Sequence, residues 1–441
     1  MKVLKFGGTS MANAGCIKRV KEIVLSDPDA GYVVVSAPGK REAGDAKVTD
    51  LLYAAFRAVK AGQAAADAFL PVRTRFDDIV GGLGLKMDLS AEYDGIIERL
   101  DRGTTADYIA SRGEYLSAKV MAAALGWTFC DTKELIRFDD AGRFMAEETD
   151  VLMKKALCGR TRLVLPGFYG ADEAGEIRTF SRGGSDVSGA IVARAVLADM
   201  YENWTDVDGF LMCDPRIVED PELIGMITYK ELRELSYMGA NVLHPESIFP
   251  VRKNDIPINI RNTFNPAAPG TLIVPTKKFF KGEFTRRDST VTGIAGKKDF
   301  FAIFIEKSMM NNELGFARRV LSAIENKGLS IEHMPTGVDT LSIVIDGTGV
   351  EPETVEDILA EIVKTCRPDV IDIVRDIALI AVVGHGMLRK KGTAAKVCSC
   401  LYRADVNIRM IDQGSSELNI IIGVDNADYE KAIACLYREF I

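Results

Sequence analysis

At 441 residues the chain is long enough for two to four domains at roughly 100–200 residues each, and its 47% hydrophobic, 27% charged composition is that of a globular protein. With 55 Lys+Arg against 63 Asp+Glu the formal net charge is −8, which gives no electrostatic footprint for nucleic acid or an anionic membrane. No apolar run approaches the roughly 18–20 residues that span a bilayer, the 8 cysteines include no C-x-x-C pair and the 3 histidines are far apart, so neither a transmembrane span, a common zinc site nor a serine–histidine triad is expected.

The chain opens on a strand, Val3–Phe6, that runs into glycines without the apolar core of a signal peptide, so a cytoplasmic location is expected. Further strands are expected at Tyr32–Ser36, Trp127–Asp131, Arg162–Pro166, Met200–Trp204 and Ile258–Arg261. Between them Ile17–Leu25, Val48–Val59, Thr105–Leu125 and Ser185–Leu197 carry the i, i+3, i+4 spacing of helices that pack on a sheet. Strands alternating with helices predict an α/β domain with a mainly parallel sheet. Ala64–Arg102 reads as extra helices inserted into that order, a candidate substrate cap, and the Pro/Gly-rich passage from Asn265 followed by polar Lys277–Asp288 places the end of the domain near residue 290.

The chemistry-bearing motifs fall where strands end. Lys5-Phe6-Gly7-Gly8-Thr9-Ser10 follows the first strand, with glycines that let the backbone approach an anion, two hydroxyl donors and a lysine that can bridge a polyphosphate. Val35-Ser36-Ala37-Pro38-Gly39 ends the second strand, and Ser111-Arg112-Gly113-Glu114 sets a carboxylate in a helical context. Ser181-Arg182-Gly183-Gly184-Ser185-Asp186 opens a helix, whose free N–H groups favour an anion while Arg182 offers a planar fork for carboxylate or phosphate. Read singly, each of these is also an ordinary tight turn or helix cap. Trp204-Thr205-Asp206-Val207-Asp208-Gly209-Phe210 and Asp214-Pro215-Arg216 add polar loop groups and an aromatic. No G-x-x-x-x-G-K-[ST], G-x-G-x-x-G or H-R-D motif occurs, so phosphoryl transfer here needs another scaffold.

Beyond residue 290 the chain repeats itself. Gly315, Ala317, Val320, Ile331, Gly337, Leu341 and Ile343 superpose on Gly392, Ala394, Val397, Ile408, Gly414, Leu418 and Ile420 at one offset, without a gap. Each copy reads strand (Phe301–Ile305; Ala378–Val382), glycine loop, helix (Phe316–Asn326; Thr393–Arg403), strand (Ser330–Pro335; Asn407–Asp412), strand (Thr340–Asp346; Glu417–Val424) and helix (Glu353–Lys364; Asp428–Arg438). That order is the ferredoxin-like split βαβ pattern, and a duplicated pair can hold a small ligand at its loops or sheet edges.

Taken together with Gly239-Ala240-Asn241-Val242-Leu243-His244-Pro245, these motifs and the repeat resemble the aspartokinases of the amino-acid kinase superfamily over essentially the whole chain. The resemblance implies a three-layer α/β kinase domain with a mainly parallel sheet at 1–290, then two ferredoxin-like (βαββαβ) ACT domains at 299–375 and 376–441. It implies a monofunctional ATP:L-aspartate 4-phosphotransferase, with Lys5 bridging the phosphates and Asp186 orienting Lys5 and the metal-nucleotide. Aspartate recognition carries over to Ser36, Thr49, Glu114, Phe168, Arg182 and Ser185, with Arg182 on the α-carboxylate and Glu114 on the ammonium group. Nucleotide binding carries over to Gly7, Gly8, Thr9, Ser10, Thr205, Asp206, Phe210 and Arg216. Relatives commonly carry lysine where Asn241 stands, and Asn241 is given no contact. Mg²⁺ is expected with ATP, held by phosphate oxygens and water rather than by a dedicated protein cage. An amino-acid effector, lysine or else threonine, is expected at Met310, Glu313, Gly315, Phe316, Ala317, Ser330, Ile331 and Glu332, with Glu332 pairing its ammonium group. A homodimer or homotetramer through the ACT domains is expected. A kinase of the same superfamily acting on glutamate, carbamate, acetylglutamate or a nucleoside monophosphate, and a non-catalytic amino-acid sensor, are the alternative readings.

Overall fold

The computed structural model describes residues 1–181, 183–240, 243, 247–286, 289–388 and 390–441. They fall into two compact units: Met1–Phe210, Leu223–Lys230 and Asn241–Arg286 in the first, and Leu211–Glu222, Glu231–Ala240 and Arg287–Ile441 in the second.

In the first unit the strands are β1 (Lys2–Phe6), β2 (Ala30–Val35), β3 (Thr128–Phe129), β4 (Leu163–Pro166), the hairpin pair β5 (Tyr169–Ala171) and β6 (Ile177–Thr179), β7 (Met200–Thr205), β8 (Met226–Thr228), β9 (Ile258–Asn262) and β10 (Thr271–Val274). Eight of them form one sheet in the order β3-β4-β2-β1-β7-β9-β10-β8, parallel throughout except where β10 runs against β9. The helices are α1 (Ala14–Ser26), α2 (Val48–Lys60), α3 (Ala65–Leu83), α4 (Ser90–Asp101), α5 (Ala106–Leu125), α6 (Ala146–Leu157), α7 (Gly184–Ala195), α8 (Tyr229–Tyr237, most of which belongs to the second unit), α9 (Ile248–Arg252) and α10 (Thr276–Phe280). Their ends follow local chemistry: the Asn13 side chain accepts from the Cys16 N–H to start α1, Thr105 does the same from Tyr108 for α5, and Gly126 closes α5 in the left-handed conformation.

Alternation along the central strands decides which side chains meet which layer. Leu4 and Phe6 of β1 and Val33 and Val35 of β2 share one buried cluster with residues of α1, α3 and α5. Lys5, between Leu4 and Phe6, therefore projects from the opposite face, where α7 packs on β1. The residues Ala64–Arg102 do form inserted helices, α3 and α4. The expected strand at Trp127–Asp131 contracts to two residues, and the short β5, β6, β8 and β10 and the helix α6 had no expectation.

In the second unit the strands are β11 (Gly293–Glu306), β12 (Thr340–Asp346), β13 (Val370–Val383), β14 (Met410–Asp412) and β15 (Asn419–Asp425), in one antiparallel sheet ordered β12-β11-β13-β15-β14. The helices are α11 (Phe316–Glu325), α12 (Pro352–Cys366), α13 (Thr393–Arg403) and α14 (Tyr429–Phe440). β11 and β13 are 14 residues each and serve both repeats. Phe300–Glu306 pairs with β12 and with the first half of β13, and Phe301, Ile303 and Ile305 share a core with α11 and α12. Gly293–Lys297 pairs with the second half of β13, and Ile294 shares a core with α13 and α14. The second repeat thus takes its fourth strand from chain that precedes the first, so the first repeat is inserted in the second. One expectation is corrected: Ser330–Pro335 forms no strand, only the isolated bridge His333–Val344, with Thr336–Leu341 just beyond it, and its counterpart in the other repeat is the three-residue β14. An edge segment that ends at exposed residues has one neighbour to pair with and few contacts to regularise it.

Candidate active site

β1 delivers Lys5 to the α7 face of the sheet, 7% exposed, where its Nζ lies 2.6 Å from Asp186 Oδ1 in the first turn of α7. Asn203 Nδ2 donates to the same Asp186 oxygen at 2.9 Å, and the Tyr201 hydroxyl donates to the Asp186 carbonyl at 3.0 Å. Asn203 is the residue opposite Lys5 in the parallel β1–β7 register, so both side chains leave the sheet on one face and converge on one carboxylate. With Oδ1 taking both bonds, Asp186 Oδ2 has no partner among the described residues and is left for a ligand.

After β1 the chain turns through Gly7 and Gly8 into a 3₁₀ turn, Thr9–Met11. Neither glycine has a positive φ, so conformational freedom is not why they are there. Close approach is the reason at Gly8: a Cβ on it would lie 3.1 Å from the Ala37 carbonyl oxygen, and one on Gly39 would lie 2.7 Å from the Gly8 carbonyl carbon. Gly39 N–H bonds the Gly8 carbonyl at 2.8 Å, joining the loops that follow β1 and β2. Thr9 Oγ1 donates to Asp206 Oδ2 at 3.1 Å, and Thr205 Oγ1 to Asp206 Oδ1 at 3.2 Å. The Ser10 hydroxyl, in contrast, is buried and bonded to Thr263 Oγ1 at 2.8 Å.

A cavity of about 500 Å³ opens beside this turn, lined among others by Gly8, Thr9, Ser36, Thr49, Glu114 and Asp206. Glu114 reaches it from α5, which packs so closely that a Cβ on Gly113 would lie 2.7 Å from the Ala37 Cβ. Its carboxyl is 5% exposed and takes the Ala37 N–H, while Oε2 has no partner. Burial pushes its pKa up to about 8 against the smaller pull of that N–H and of the Arg112 and Lys5 charges, which favours the protonated carboxyl at neutral pH. Such a group ionises when a cation is brought to it. Arg112 itself is buried among the rings of Tyr108, Tyr115 and Tyr169 and bonds Ser111 Oγ, away from an ion pair among the described residues.

At the start of α7, Ser185 is buried against Gly167, and Phe168 takes a positive φ of 77° while its N–H bonds Ser188 Oγ at 3.0 Å. Phe210 is 1% exposed with its N–H on Thr271 Oγ1, so its side chain belongs to the core. Arg216 belongs to the second unit and is held by Asp214. Arg182 and Asn241 lie outside the described residues.

In the second unit Gly315 takes φ 76° ahead of α11, with Met310 and Phe316 buried beside it and Ala317 packed partly against the same core. Glu313 is paired with Lys307 Nζ at 2.8 Å and with Arg319, and these partners hold its carboxyl below the usual range. Ser330 and Ile331 are exposed, and the Glu332 N–H bonds the Val344 carbonyl at 2.9 Å. The Tyr237 hydroxyl neighbours the Glu332 carboxylate, and its pKa is raised by burial first and by Glu332 next. Tyr237, like Asn203, was not a candidate from sequence, because its place depends on folding across almost a hundred residues.

A parallel-sheet domain with a lysine–aspartate pair at a glycine turn, followed by a duplicated ferredoxin-like sheet, defines a class of small-molecule kinase with a regulatory module. The amino acid kinase family model matches residues 1–262, and an ACT domain model matches residues 380–440. The chain is 38% identical to aspartokinase 3 of Bacillus subtilis, over 100% of this chain and 98% of the relative. It is similar to the crystal structure of the Clostridium acetobutylicum aspartate kinase, at 47% identity and TM-score 0.93 over 100% of both chains. Aspartokinase III of E. coli, solved with aspartate and ADP and again with lysine and aspartate, is 26% identical with TM-score 0.74 over 100% of this chain and 99% of the other in each case. The chain belongs to the aspartokinase family.

Proposed function

We propose that the chain transfers the γ-phosphoryl group of ATP to the side-chain carboxylate of L-aspartate, giving 4-phospho-L-aspartate, the first step toward lysine, threonine and methionine. The observation that carries this reading is the 2.6 Å Lys5–Asp186 pair at a glycine turn whose cavity also holds the buried carboxyl of Glu114. The acceptor is already ionised at neutral pH, so its oxygen attacks the γ-phosphorus without a general base. That bond forms as the bond from γ-phosphorus to the β,γ-bridging oxygen breaks, and ADP leaves with the electron pair. What remains for the protein is positioning and charge neutralisation.

In this reading Lys5 bridges the phosphates and meets the charge that develops on the transferring group. Asp186, steadied by Asn203, fixes the direction of Lys5 and would orient the metal-nucleotide. ATP enters as its magnesium complex, the ion held by phosphate oxygens and water. Gly7, Gly8, Thr9 and the Ser10 backbone approach the phosphates, and Thr205 and Asp206 complete the nucleotide side within the first unit. Glu114 takes the ammonium group of aspartate and Arg182 its α-carboxylate, with Ser36, Thr49, Phe168 and Ser185 around them.

The domain divisions are 1–290 for catalysis and 299–375 and 376–441 for the two ACT domains, the latter completed by Gly293–Lys297. Lysine, which E. coli aspartokinase III holds in one of its structures, is the proposed feedback effector, with threonine as the alternative. It binds along Met310, Glu313, Gly315, Phe316, Ala317, Ser330, Ile331 and Glu332. The assembly is a homodimer or homotetramer through the ACT domains. No helix among the described residues is long and apolar enough to cross a membrane, and the cytoplasm is the proposed location.

Trapping the acyl phosphate with hydroxylamine tests this directly, using the purified chain with Mg²⁺, ATP and either L-aspartate or L-glutamate. Aspartyl hydroxamate that disappears in Lys5→Ala supports the reading. No hydroxamate with aspartate from a folded preparation overturns it.

A further inference from the structure

The residues between Pro38 and Val48 form a loop closed at its base and tied down at its tip. At the base, Val48 N–H bonds the Pro38 carbonyl at 3.0 Å and Gly39 N–H bonds the Gly8 carbonyl at 2.8 Å, so the loop is fastened to the phosphate-type turn itself. The tie at the tip is Arg75 of the inserted helix α3, which is 3% exposed. Its Nη2 grips both Asp45 oxygens, at 2.8 and 2.7 Å, and the Ala46 carbonyl at 3.1 Å, while Nη1 reaches the Gly39 carbonyl at 3.1 Å. Arg41 joins from within the loop, with Nε 2.9 Å from Asp45 Oδ2. Arg41 and Arg75 together hold the Asp45 carboxyl well below the usual carboxylate range. A buried guanidinium that leaves its carboxylate unpaired costs far more than an exposed one, so this clamp is expected to stay closed in the folded protein.

The clamp holds three cations, Lys40, Arg41 and Lys47, in the wall of the cavity that Gly8, Thr9 and Glu114 also line. Arg41 is committed to Asp45. Lys40 and Lys47 are both exposed and have no acidic partner among the described residues. The other acidic groups on this wall form no ion pair with either lysine among the described residues: Asp206 accepts from the Thr9 and Thr205 hydroxyls, burial raises the pKa of Glu114, and Glu42 is exposed. Two unpaired ammonium groups on a tethered loop beside a phosphate-type turn match a polyanion better than a single carboxylate.

We propose that Lys40 and Lys47 bind the polyphosphate of the nucleotide from the side opposite Lys5, and that Arg75 is the positioning residue that presents them through Asp45. This rests on the ATP-dependent reading above and extends it to residues that reading does not use. The inserted helices then have a function in the reaction beyond covering the site: α3 supplies the anchor that sets where the loop's charges stand.

The test is equilibrium binding of ATP, ADP and AMP to the full chain, with steady-state kinetics, for Lys40→Met, Lys47→Met, the double variant and Arg75→Lys. Both lysines are exposed, so their variants fold. The double variant is expected to weaken ATP and ADP at least 10-fold, AMP less than 2-fold and the KM for aspartate less than 2-fold, with a shallower salt dependence of ATP binding. Arg75→Lys keeps the charge but loses the fork, and is expected to weaken ATP as well. Made in the double-lysine background it should add less than 2-fold, because its effect passes through those lysines. ATP affinity unchanged in the double variant, or a loss confined to aspartate, overturns the proposal for the lysines. An equal Arg75→Lys loss in both backgrounds overturns the positioning role. Failure of the unmodified chain to bind ATP overturns the kinase reading and this inference together, so the two failures are distinct.

Discussion

Lys5, Asp186 and Asn203 show how one cross-strand neighbour makes an ion pair usable. A lone buried lysine–carboxylate pair can swing; a second donor on the same Asp186 oxygen restrains the carboxylate. Asn203→Ala should therefore leave the fold intact and lower kcat about 10-fold, roughly 1.4 kcal/mol of transition-state stabilisation, with a smaller change in the KM for ATP. Equal losses in kcat and in ATP affinity would instead assign Asn203 to nucleotide binding. Glu114 carries a different signature. Its folded pKa, about 8, lies above the unfolded value near 4.5, so between those two pH values the folded state holds a proton that the unfolded state has lost. Its contribution to stability is full below pH 4.5 and declines as pH rises toward 8. Glu114→Gln should remove that decline, so that melting temperatures of variant and parent converge or cross on going from pH 5 to pH 8. Bringing the ammonium of aspartate to Glu114 should release up to one proton at pH 7. Calorimetry in buffers of different ionisation enthalpy reads that release, and its persistence in Glu114→Gln would place the proton elsewhere.

At the scale of elements, the position of Glu114 depends on how closely α5 approaches the loop after β2. A methyl group at Gly113 would meet the Ala37 Cβ at 2.7 Å, and neither atom can rotate away. Gly113→Ala should push α5 outward by a few tenths of an ångström, cost about 1–3 kcal/mol in a denaturant melt and raise the KM for aspartate more than that for ATP. The same comparison shows what the chain makes legible. Lys5 through Ser10, Ser111 through Glu114 and Ser181 through Asp186 are short runs with their chemistry contiguous, and the structure gathers Lys5, Thr9, Glu114 and Asp186 around one crevice. Asn203 was silent because its relevance is a matter of strand register, and Arg75 because a buried arginine on an inserted helix looks like any other helix residue until its partner loop is placed. At Gly8 close approach is the operative constraint, to the backbone of Ala37 and Gly39. The short strands β8 and β10 and the hairpin β5–β6 are set by pairing with distant chain, which three- or four-residue runs do not announce.

On the scale of the whole molecule, duplication was visible in sequence while insertion was not. The offset between copies reports homologous strands and helices, and it sets Gly293–Lys297 opposite Val370–Val374, but it does not say that the earlier segment pairs with the later repeat and completes it. Long strands shared by both repeats make the sheet one hydrogen-bonded body, so a ligand that alters one repeat acts on a continuous β11–β13 ladder. The proposed effector contact enters that body at Glu332, whose carboxylate neighbours the Tyr237 hydroxyl and raises its pKa. An incoming ammonium group would find in Glu332 a carboxylate with no cationic partner among the described residues, while Glu313 is already committed to Lys307 and Arg319. Glu332→Ala is accordingly expected to raise the lysine inhibition constant at least 10-fold with uninhibited kcat within 2-fold of the parent. Tyr237→Phe, which removes a hydroxyl beside Glu332 without removing the carboxylate's charge, should move the inhibition constant less, by about 2- to 5-fold. Inhibition by lysine that survives Glu332→Ala unchanged would displace the effector from this segment, and inhibition by threonine alone would reassign the ligand while leaving the segment in place. A Tyr237→Phe effect as large as that of Glu332→Ala would show that orientation of the carboxylate, rather than its charge, is what the effector reads.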